Sequence, residues 1–260
     1  MKTVCVVIIA IEFTLGEHGG FTVNQNIKDE LLDAIKTGRI QRKDEGQYPS
    51  KHSEPFFYKT RSGKDFVLLR AREKRYVGCF QKQQLLYPFL LKQNFPVRIV
   101  QEYEILECEN DTYAVMERFF GYGHSPERYN NATKEQQARF VSQIAHFFFA
   151  LHSIPTDTLP TGIDYTPYFK YDKSVSTEKD VFLHADFNYS NFLVDDDYNL
   201  HAVFDWHPAC IGPRIAEFAA FVYCNDLTFL PLVLKEYNKL AGTAITPEQV
   251  VQHNAQRWCT

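Results

Sequence analysis

The chain reads VFLHADFNYSNFLV at residues 181–194, a polar loop with an apolar, strand-like run on each side. Asp186 and Asn191 lie in this loop, and Asp205 directly follows a third apolar run at residues 202–204. Because rigid strands hold the side chains at their ends, we expect the two carboxylates and the amide to share one rim. This set suits phosphoryl transfer, in which one carboxylate accepts a proton while an amide and a second carboxylate hold Mg²⁺.

Length and composition predict a packed globular protein. The chain has 260 residues, of which 45% are hydrophobic and 23% charged, so it can bury a core and is unlike a disordered chain. The formal net charge of −4 gives no overall basic field, which makes nucleic acid a poor partner. No apolar run reaches the roughly 18 residues of a spanning helix. The six cysteines are scattered. We therefore expect a cytoplasmic protein with reduced thiols, away from membranes.

Charge is distributed unevenly along the chain. Residues 1–100 contain 17 Lys and Arg against 10 Asp and Glu, whereas residues 155–217 contain 4 against 11. This difference predicts a basic first lobe and an acidic second lobe, although ordinary solvated faces produce similar imbalances.

Periodicity and turn residues predict the main elements. Residues 26–38 suit an amphipathic helix with Asn26 as N-cap, and residues 56–70 suit a hairpin. Helices are also predicted over 73–92, where Pro88 should end or kink the helix, and over 134–153, where an aromatic stripe indicates core packing. Short strands are predicted at residues 97–100, 103–108, 113–117, 181–183, 192–194 and 202–204.

The spacing of the polar loop resembles a known signature. His-x-Asp-x4-Asn, with Asp205 fourteen residues after Asn191, is similar to the catalytic and metal-binding motif of the aminoglycoside phosphotransferase and choline kinase-like families, which share the protein-kinase-like fold. The resemblance extends over about residues 42–240, whereas residues 1–25 have no counterpart. It identifies the hairpin with the second and third kinase strands and residues 116–119 with the hinge.

The resemblance implies an α+β, two-lobed fold of the protein-kinase type. A small antiparallel-sheet N-lobe that binds nucleotide would occupy residues 1–118, with residues 1–25 as an added segment. A mainly helical C-lobe with the catalytic loop and the acceptor site would occupy residues 119–260.

Carried over residue by residue, the family's chemistry gives each polar residue of the loop a role. Asp186 would be the catalytic base, and His184 would organise the loop. Asn191 and Asp205 would be the Mg²⁺ ligands, and Glu217 would buttress the loop from a later part of the chain. His152 and His207 lack metal-ligand spacing and are interpreted as structural.

The nucleotide site departs from the family pattern. The strand lysine that grips the phosphates corresponds to Arg70, and the helix glutamate that pairs with it corresponds to Gln83 or Gln84. Arg and Lys place phosphate oxygens differently. Lys59 or Lys64 on the hairpin could supply an ammonium instead. The remaining expected nucleotide contacts are Ser50 and Ser53, in the segment 46–53 over the phosphates, and Met116, Glu117 and Phe119 beside adenine or guanine.

The implied activity is Mg²⁺-dependent transfer of the γ-phosphoryl group of ATP or GTP onto a hydroxyl of a small molecule. The acidic 155–217 region favours a cationic, amine-bearing acceptor, such as an aminoglycoside. A compact protein Ser/Thr kinase, for instance a toxin or effector, is an alternative, which the lack of an evident activation segment between Asp205 and Gly212 disfavours. A pseudokinase that only binds nucleotide is another alternative, which Arg70 favours and the intact Asp186, Asn191 and Asp205 disfavour.

Overall fold

The computed structural model describes residues 22–42, 52–169, 179–223 and 229–257. The strands are β1 Gln41–Arg42, β2 Ser53–Lys59, β3 Asp65–Ala71, β4 Tyr103–Cys108, β5 Asp111–Glu117, β6 Tyr122–Gly123, β7 Asp180–Leu183, β8 Phe192–Val194, β9 Leu200–Val203 and β10 Cys210–Pro213. The α-helices are α1 Gln25–Lys36, α2 Val77–Leu90, α3 Pro126–Asn131, α4 Lys134–His152, α5 Ala219–Tyr223, α6 Leu230–Ala241 and α7 Pro247–Arg257. No helix among these residues is long and apolar enough to cross a membrane.

The N-terminal half is built on an antiparallel sheet in the order β1-β2-β3-β5-β4. Side chains along each strand alternate between its two faces. Phe66 and Leu68 of β3 pack under α1, on what we call the outer face. Val67 and Leu69 pack on the opposite face, which we call the cleft face because it joins the main core of the C-terminal half. The predicted hairpin is confirmed as β2 and β3, joined around Gly63 with a φ of 89°.

Two predictions about the N-terminal helices need correction. Helix α1 begins one residue early and is capped by Asn24, whose side chain accepts from the Asn26 amide. Pro88 lies inside α2 without ending it. It occupies the last turn, where its ring and missing N–H affect only one hydrogen bond to the preceding turn.

The predicted strand at residues 97–100 is absent from the described residues as a strand. Only an isolated parallel bridge joins Arg98 to Ala202 of β9. Ile99 and Val100 are buried in the main core, so the apolar run reflects burial between the two halves rather than a strand pairing.

The core of the C-terminal half is centred on α4. Thr133 and Gln136 form the predicted capping box, and the stripe of Phe140, Phe147 and Phe148 is fully buried. This confirms the interpretation of the stripe as core. Around α4 lie the pair β7–β10, the sheet β6-β8-β9 and helix α6. Gly242, with a φ of 65°, ends α6.

Candidate active site

The loop between β7 and β8 holds the Asp186 carboxylate in one orientation. Its Oδ1 accepts from Asn188 Nδ2 at 2.8 Å, and its Oδ2 accepts from Asn191 Nδ2 at 2.9 Å. Asn191 Nδ2 also donates to the Asp186 carbonyl at 2.8 Å. Burial raises the pKa of Asp186 above its ordinary value, although the hydrogen bonds from the two amides oppose the shift. An oriented carboxylate with a raised pKa is suited to general-base chemistry.

His184 connects this loop to the end of β9. Its ring is completely buried, and Nε2 lies 3.0 Å from the Phe204 carbonyl, to which it can only donate. Nδ1 is then the acceptor for the Asp186 amide at 3.3 Å. Since both ring nitrogens are occupied by backbone groups, His184 ties the loop to the end of β9.

Ala185 adopts a left-handed conformation, with a φ of 65°, which is strained for a residue with a side chain. Both of its backbone polar groups are fixed. The Ala185 amide donates to Glu217 Oε1 at 3.1 Å, and its carbonyl accepts from Tyr168 Oη at 2.9 Å. Glu217 Oε2 accepts from the His184 amide at 2.8 Å. The predicted buttress therefore acts through the backbone, whereas Tyr168 had no recognisable sequence signal.

Asp205 lies at the same edge as Asn191. The Phe204 amide donates to the Asn191 carbonyl at 3.0 Å, beyond the last residue pair of β8 and β9. Asp205 has a φ of 63°, a conformation that Asp tolerates better than most residues. Its Oδ1 lies 2.7 Å from His207 Nδ1. Partial burial raises the pKa of Asp205, but His207, His184 and His52 together hold it below its ordinary value.

The oxygens of Asn191 and Asp205 fit a magnesium ion. The Asn191 amide nitrogen donates to Asp186. The Oδ1 atom of Asn191 has one long contact, from Ser190 Oγ at 3.3 Å. Asp205 keeps Oδ2 free of the His207 contact. Mg²⁺ prefers one or two protein oxygens and takes its other ligands from water and phosphates. Within the described residues, no group of three His, Cys, Asp or Glu side chains could hold a metal ion.

Helix α2 is attached to the segment that follows Asp205. Gln83 Oε1 accepts from the Trp206 amide at 3.1 Å, so Gln83 rather than Gln84 faces the site. Lys82 Nζ donates to the Ala209 carbonyl at 2.6 Å and to the Asp164 carbonyl at 3.0 Å. Burial lowers the pKa of Lys82. These contacts tie α2 to the C-terminal half, and no pattern in the sequence pointed to Lys82.

Arg70 lies on the outer face of the sheet, which corrects its predicted place in the cleft. It opposes Glu54 and Tyr113 in the sheet register. Its Nη2 pairs with the buried Glu54, and its Nη1 lies 3.3 Å from Asp111 Oδ2. Strand alternation is the physical reason: Arg70 shares a face with Leu68, and Leu69 and Ala71 take the cleft face.

The other residues predicted to contact the nucleotide differ in their positions relative to the cleft face. Ser53 is buried at the start of β2, opposite Ala71 on the cleft face, whereas Ser50 lies outside the described residues. Met116 is buried beside Val67 on the cleft face. Lys59 is 67% exposed at the hairpin turn, with Nζ 3.9 Å from Asp65 Oδ2.

Side chains of the predicted hinge contact the neighbouring 98–101 segment. Glu117 Oε1 accepts from the Gln101 amide at 2.6 Å, and burial raises the pKa of Glu117. The Arg98 guanidinium lies 4.7 Å from the centre of the Phe119 ring. The side chains of Glu117 and Phe119 are thus engaged with the 98–101 segment, and the amides of Glu117 and Arg118 donate to the Glu102 and Asp65 carbonyls.

Two further histidines, His52 and His207, lie next to each other close to Asp205. Their ring centres are 5.1 Å apart, and His52 lies close enough to lower the pKa of Asp205. Burial lowers the pKa of His207, but Asp205 and Asp186 raise it more, so its net shift is upward. His207 was interpreted as structural, whereas the structure places it directly on Asp205. Asp205 is therefore in contact with one imidazole, that of His207, and close to a second, that of His52.

Known structures share this arrangement of chain. The ADP-bound aminoglycoside phosphotransferase APH(2'')-Ib superposes with a TM-score of 0.63 at 14% identity, covering 90% of this chain and 86% of that chain. The chain has the fold of these phosphotransferases. The GDP and kanamycin complex of an APH(2'') enzyme gives a TM-score of 0.66 at 13% identity, with 88% and 87% covered. Macrolide 2'-phosphotransferase MphH from Brachybacterium faecium gives 0.58 at 15% identity, with 88% of each chain covered.

The phosphotransferase fold is accompanied by a match in sequence. A sequence model described as the phosphotransferase enzyme family matches residues 172–250, which include the catalytic loop, Asp205 and Glu217. No curated protein matches the chain. The predicted α+β, protein-kinase-like fold and the resemblance to the aminoglycoside phosphotransferases are thereby confirmed.

Proposed function

We propose that the chain transfers the γ-phosphoryl group of ATP or GTP onto a hydroxyl of a small molecule. The observation that carries the proposal is the geometry of Asp186, Asn191 and Asp205 at one edge of the β8–β9 pair. Asn191 donates to Asp186, and its carbonyl accepts from the amide of Phe204, the residue before Asp205. The lobe boundary near residue 118 belongs to the same proposal, since β5 ends at Glu117.

Asp186 acts as the base in this reaction. The acceptor oxygen forms a bond to the γ-phosphorus, the bond from phosphorus to the bridging oxygen of the nucleoside diphosphate breaks, and the acceptor proton passes to the Asp186 carboxylate. Asn188 and Asn191 keep that carboxylate aimed. Asn191 and Asp205 would hold Mg²⁺, which supplies positive charge against the phosphate oxygens when bound.

The nucleotide lies between the sheet and the catalytic loop. Met116 and Val67 on the cleft face border the base, and main-chain groups near Glu117 and Phe119 would face it. Ser53 lies over the phosphates in this proposal, and Ser50, which has the same expected role, is outside the described residues. Because Arg70 and Lys59 point elsewhere, His52 and His207 are the described residues beside Asp205 that could meet the phosphates.

The acceptor is an amine-bearing small molecule. Residues 155–217 carry an excess of negative charge, which attracts a cation. Kanamycin and gentamicin, named in complexes of the structural neighbours, are polyamines with several hydroxyls. A cytoplasmic location fits a supply of nucleoside triphosphate.

A nucleotide-binding protein without catalysis is the second candidate. The outer-face position of Arg70 supports it, because the strand lysine has no counterpart on the cleft face of β3. A protein Ser/Thr kinase has weaker support, since β10 pairs directly with β7 and leaves residues 206–209 as the connection after Asp205.

Transfer of labelled γ-phosphate tests the proposal. ATP and GTP are each incubated with Mg²⁺ and with pooled aminoglycosides, macrolides, choline-like amines, sugars or a generic protein substrate. We expect label on a small molecule, and we expect its loss in Asp186→Asn. Mg²⁺-dependent nucleotide binding without any transfer would instead support the binding protein. Label on the protein substrate alone would support the protein kinase.

A further inference from the structure

A pocket of about 350 Å³ lies at the C-terminal end of α4, away from the catalytic loop. Its lining includes two cations, Lys179 and Arg214, and the hydroxyl of Thr156. Ile154 and Val181 form an apolar wall. Neither Asp186 nor Asp205 lines it. Its size is within the range of small-molecule sites in proteins, about 300–1,000 Å³.

Arg214 is the unusual residue of this pocket. Its Nε is buried without a hydrogen-bond acceptor among the described residues, and no ion pair is formed by its guanidinium there. The nearby Glu217 carboxylate is spent on the His184 and Ala185 amides. Buried guanidinium donors are normally paired, because an unpaired one loses its hydration without compensation. Arg214 thus presents a charged donor to the pocket.

The other donors surround the same space. Lys179 forms no hydrogen bond or ion pair in the described part of the chain, and Thr156 contributes a hydroxyl from another segment. Asp180 is the carboxylate of the lining, which leaves the two cations in excess. A planar guanidinium, an ammonium and a hydroxyl from three separate segments match the three oxygens of a tetrahedral phosphate better than a flat carboxylate.

We propose that this pocket binds the phosphate group of a small phosphate monoester, with the carbon part of the ligand against Ile154 and Val181. Arg214 takes two phosphate oxygens and Lys179 the third. The site is separate from the nucleotide cleft, and its existence does not depend on the proposed phosphoryl transfer.

Binding of inorganic phosphate and phenyl phosphate, measured by titration calorimetry, tests the proposal. The experiment compares the full chain with Arg214→Gln, Lys179→Gln and a matched control, Arg61→Gln, which removes an exposed arginine of the hairpin turn. Each titration is run with and without saturating MgADP. Melting temperatures of the free variants establish that each one is folded, and Arg214→Lys serves as a second variant that keeps the charge.

We expect Arg214→Gln to weaken phosphate binding about tenfold or more, the ratio for one charge-assisted hydrogen bond. Lys179→Gln should weaken it less, Arg214→Lys should be intermediate, and Arg61→Gln should match the unmodified chain. Phenyl phosphate should bind more tightly than inorganic phosphate. Equal binding by Arg214→Gln would overturn the proposal. Loss of binding in MgADP would also overturn it, because the phosphate would then occupy the cleft.

Discussion

The catalytic loop and strand β3 both contain polar residues that sequence analysis selected as site residues. The two regions differ in how far along the chain the contacts of these residues lie. In the loop, Asp186, Asn188 and Asn191 bond to one another within six residues of chain. On β3, Arg70 finds its partners in Glu54 and Asp111, 16 and 41 residues away. A motif predicts geometry well where the residues of the motif are also its contacts. A lone charge on a strand depends on which face it occupies.

The strongest test of the loop is Asp186→Asn. Because the amide cannot accept the acceptor proton, we expect kcat for phosphoryl transfer to fall by about 10²–10⁴-fold, with nucleotide binding retained. Steady-state assays with ATP and GTP measure the effect. The control is Asp196→Asn, an exposed residue of the turn before β9. Activity within tenfold of the unmodified chain would show that the loop is not the reaction centre.

Glu217→Gln tests how the loop keeps its strained backbone. The variant loses the charge that accepts from the His184 and Ala185 amides, so we expect the free energy of unfolding to fall by about 2–4 kcal/mol and the activity to fall with it. Urea unfolding measures the first effect. Glu236→Gln, at an exposed helix position, should change neither quantity. An unchanged stability for Glu217→Gln would contradict the buttress.

Lys82→Met tests whether the attachment of α2 to the C-terminal half supports the reaction. Its two hydrogen bonds join α2 to the segments around Asp164 and Ala209, and we expect their loss to lower kcat about tenfold by loosening α2. Lys74→Met, at an exposed position before α2, is the matched control. If only KM for the nucleotide rises while kcat is unchanged, Lys82 contacts phosphate rather than positioning the helix.

Arg70→Met tests the outer-face assignment. The variant leaves the buried Glu54 with Arg42 as its remaining partner, so we expect a loss of about 1–2 kcal/mol in the free energy of unfolding. The KM for nucleotide should stay within about twofold. Thermal or urea unfolding and nucleotide kinetics measure the two effects, with Arg61→Met as control. A tenfold rise in nucleotide KM would contradict the outer-face assignment and indicate that Arg70 contacts the phosphates.

The smallest effect is a pH dependence at His152. Burial lowers the pKa of His152, although the neighbouring Glu217 opposes the shift, and Nδ1 lies 2.7 Å from Tyr237 Oη. Below about pH 6.5 the unfolded chain therefore binds a proton that the folded chain does not bind, so stability falls on acidification. Between pH 7.5 and 5.5, His152→Gln should lose about 1 kcal/mol less than the unmodified chain in urea unfolding. Equal losses would mean that His152 is protonated in the fold.

Local signals account for most of what was predicted correctly. The capping box at Thr133 and Gln136, the hairpin around Gly63 and the polar loop each involve residues a few positions apart. Hydrogen bonds and backbone preferences act over such distances without help from the rest of the fold. The predicted strand at 97–100 was wrong because an apolar run indicates burial without specifying the partner.

The sequence by itself identified the loop of His184, Asp186 and Asn191, because Asp186 and Asn191 are joined by hydrogen bonds within the short segment that contains them. The loop backbone at His184 and Ala185 is held from outside that segment by Glu217 and Tyr168. Tertiary structure alone decided which cations face the cleft. Arg70 was turned outward by the alternation of β3, whereas Lys82 and Gln83 reach the segment after Asp205 because α2 packs against the C-terminal half. The physical reason is that long-range pairings depend on strand register and helix placement, and neither leaves a mark at the single residue concerned.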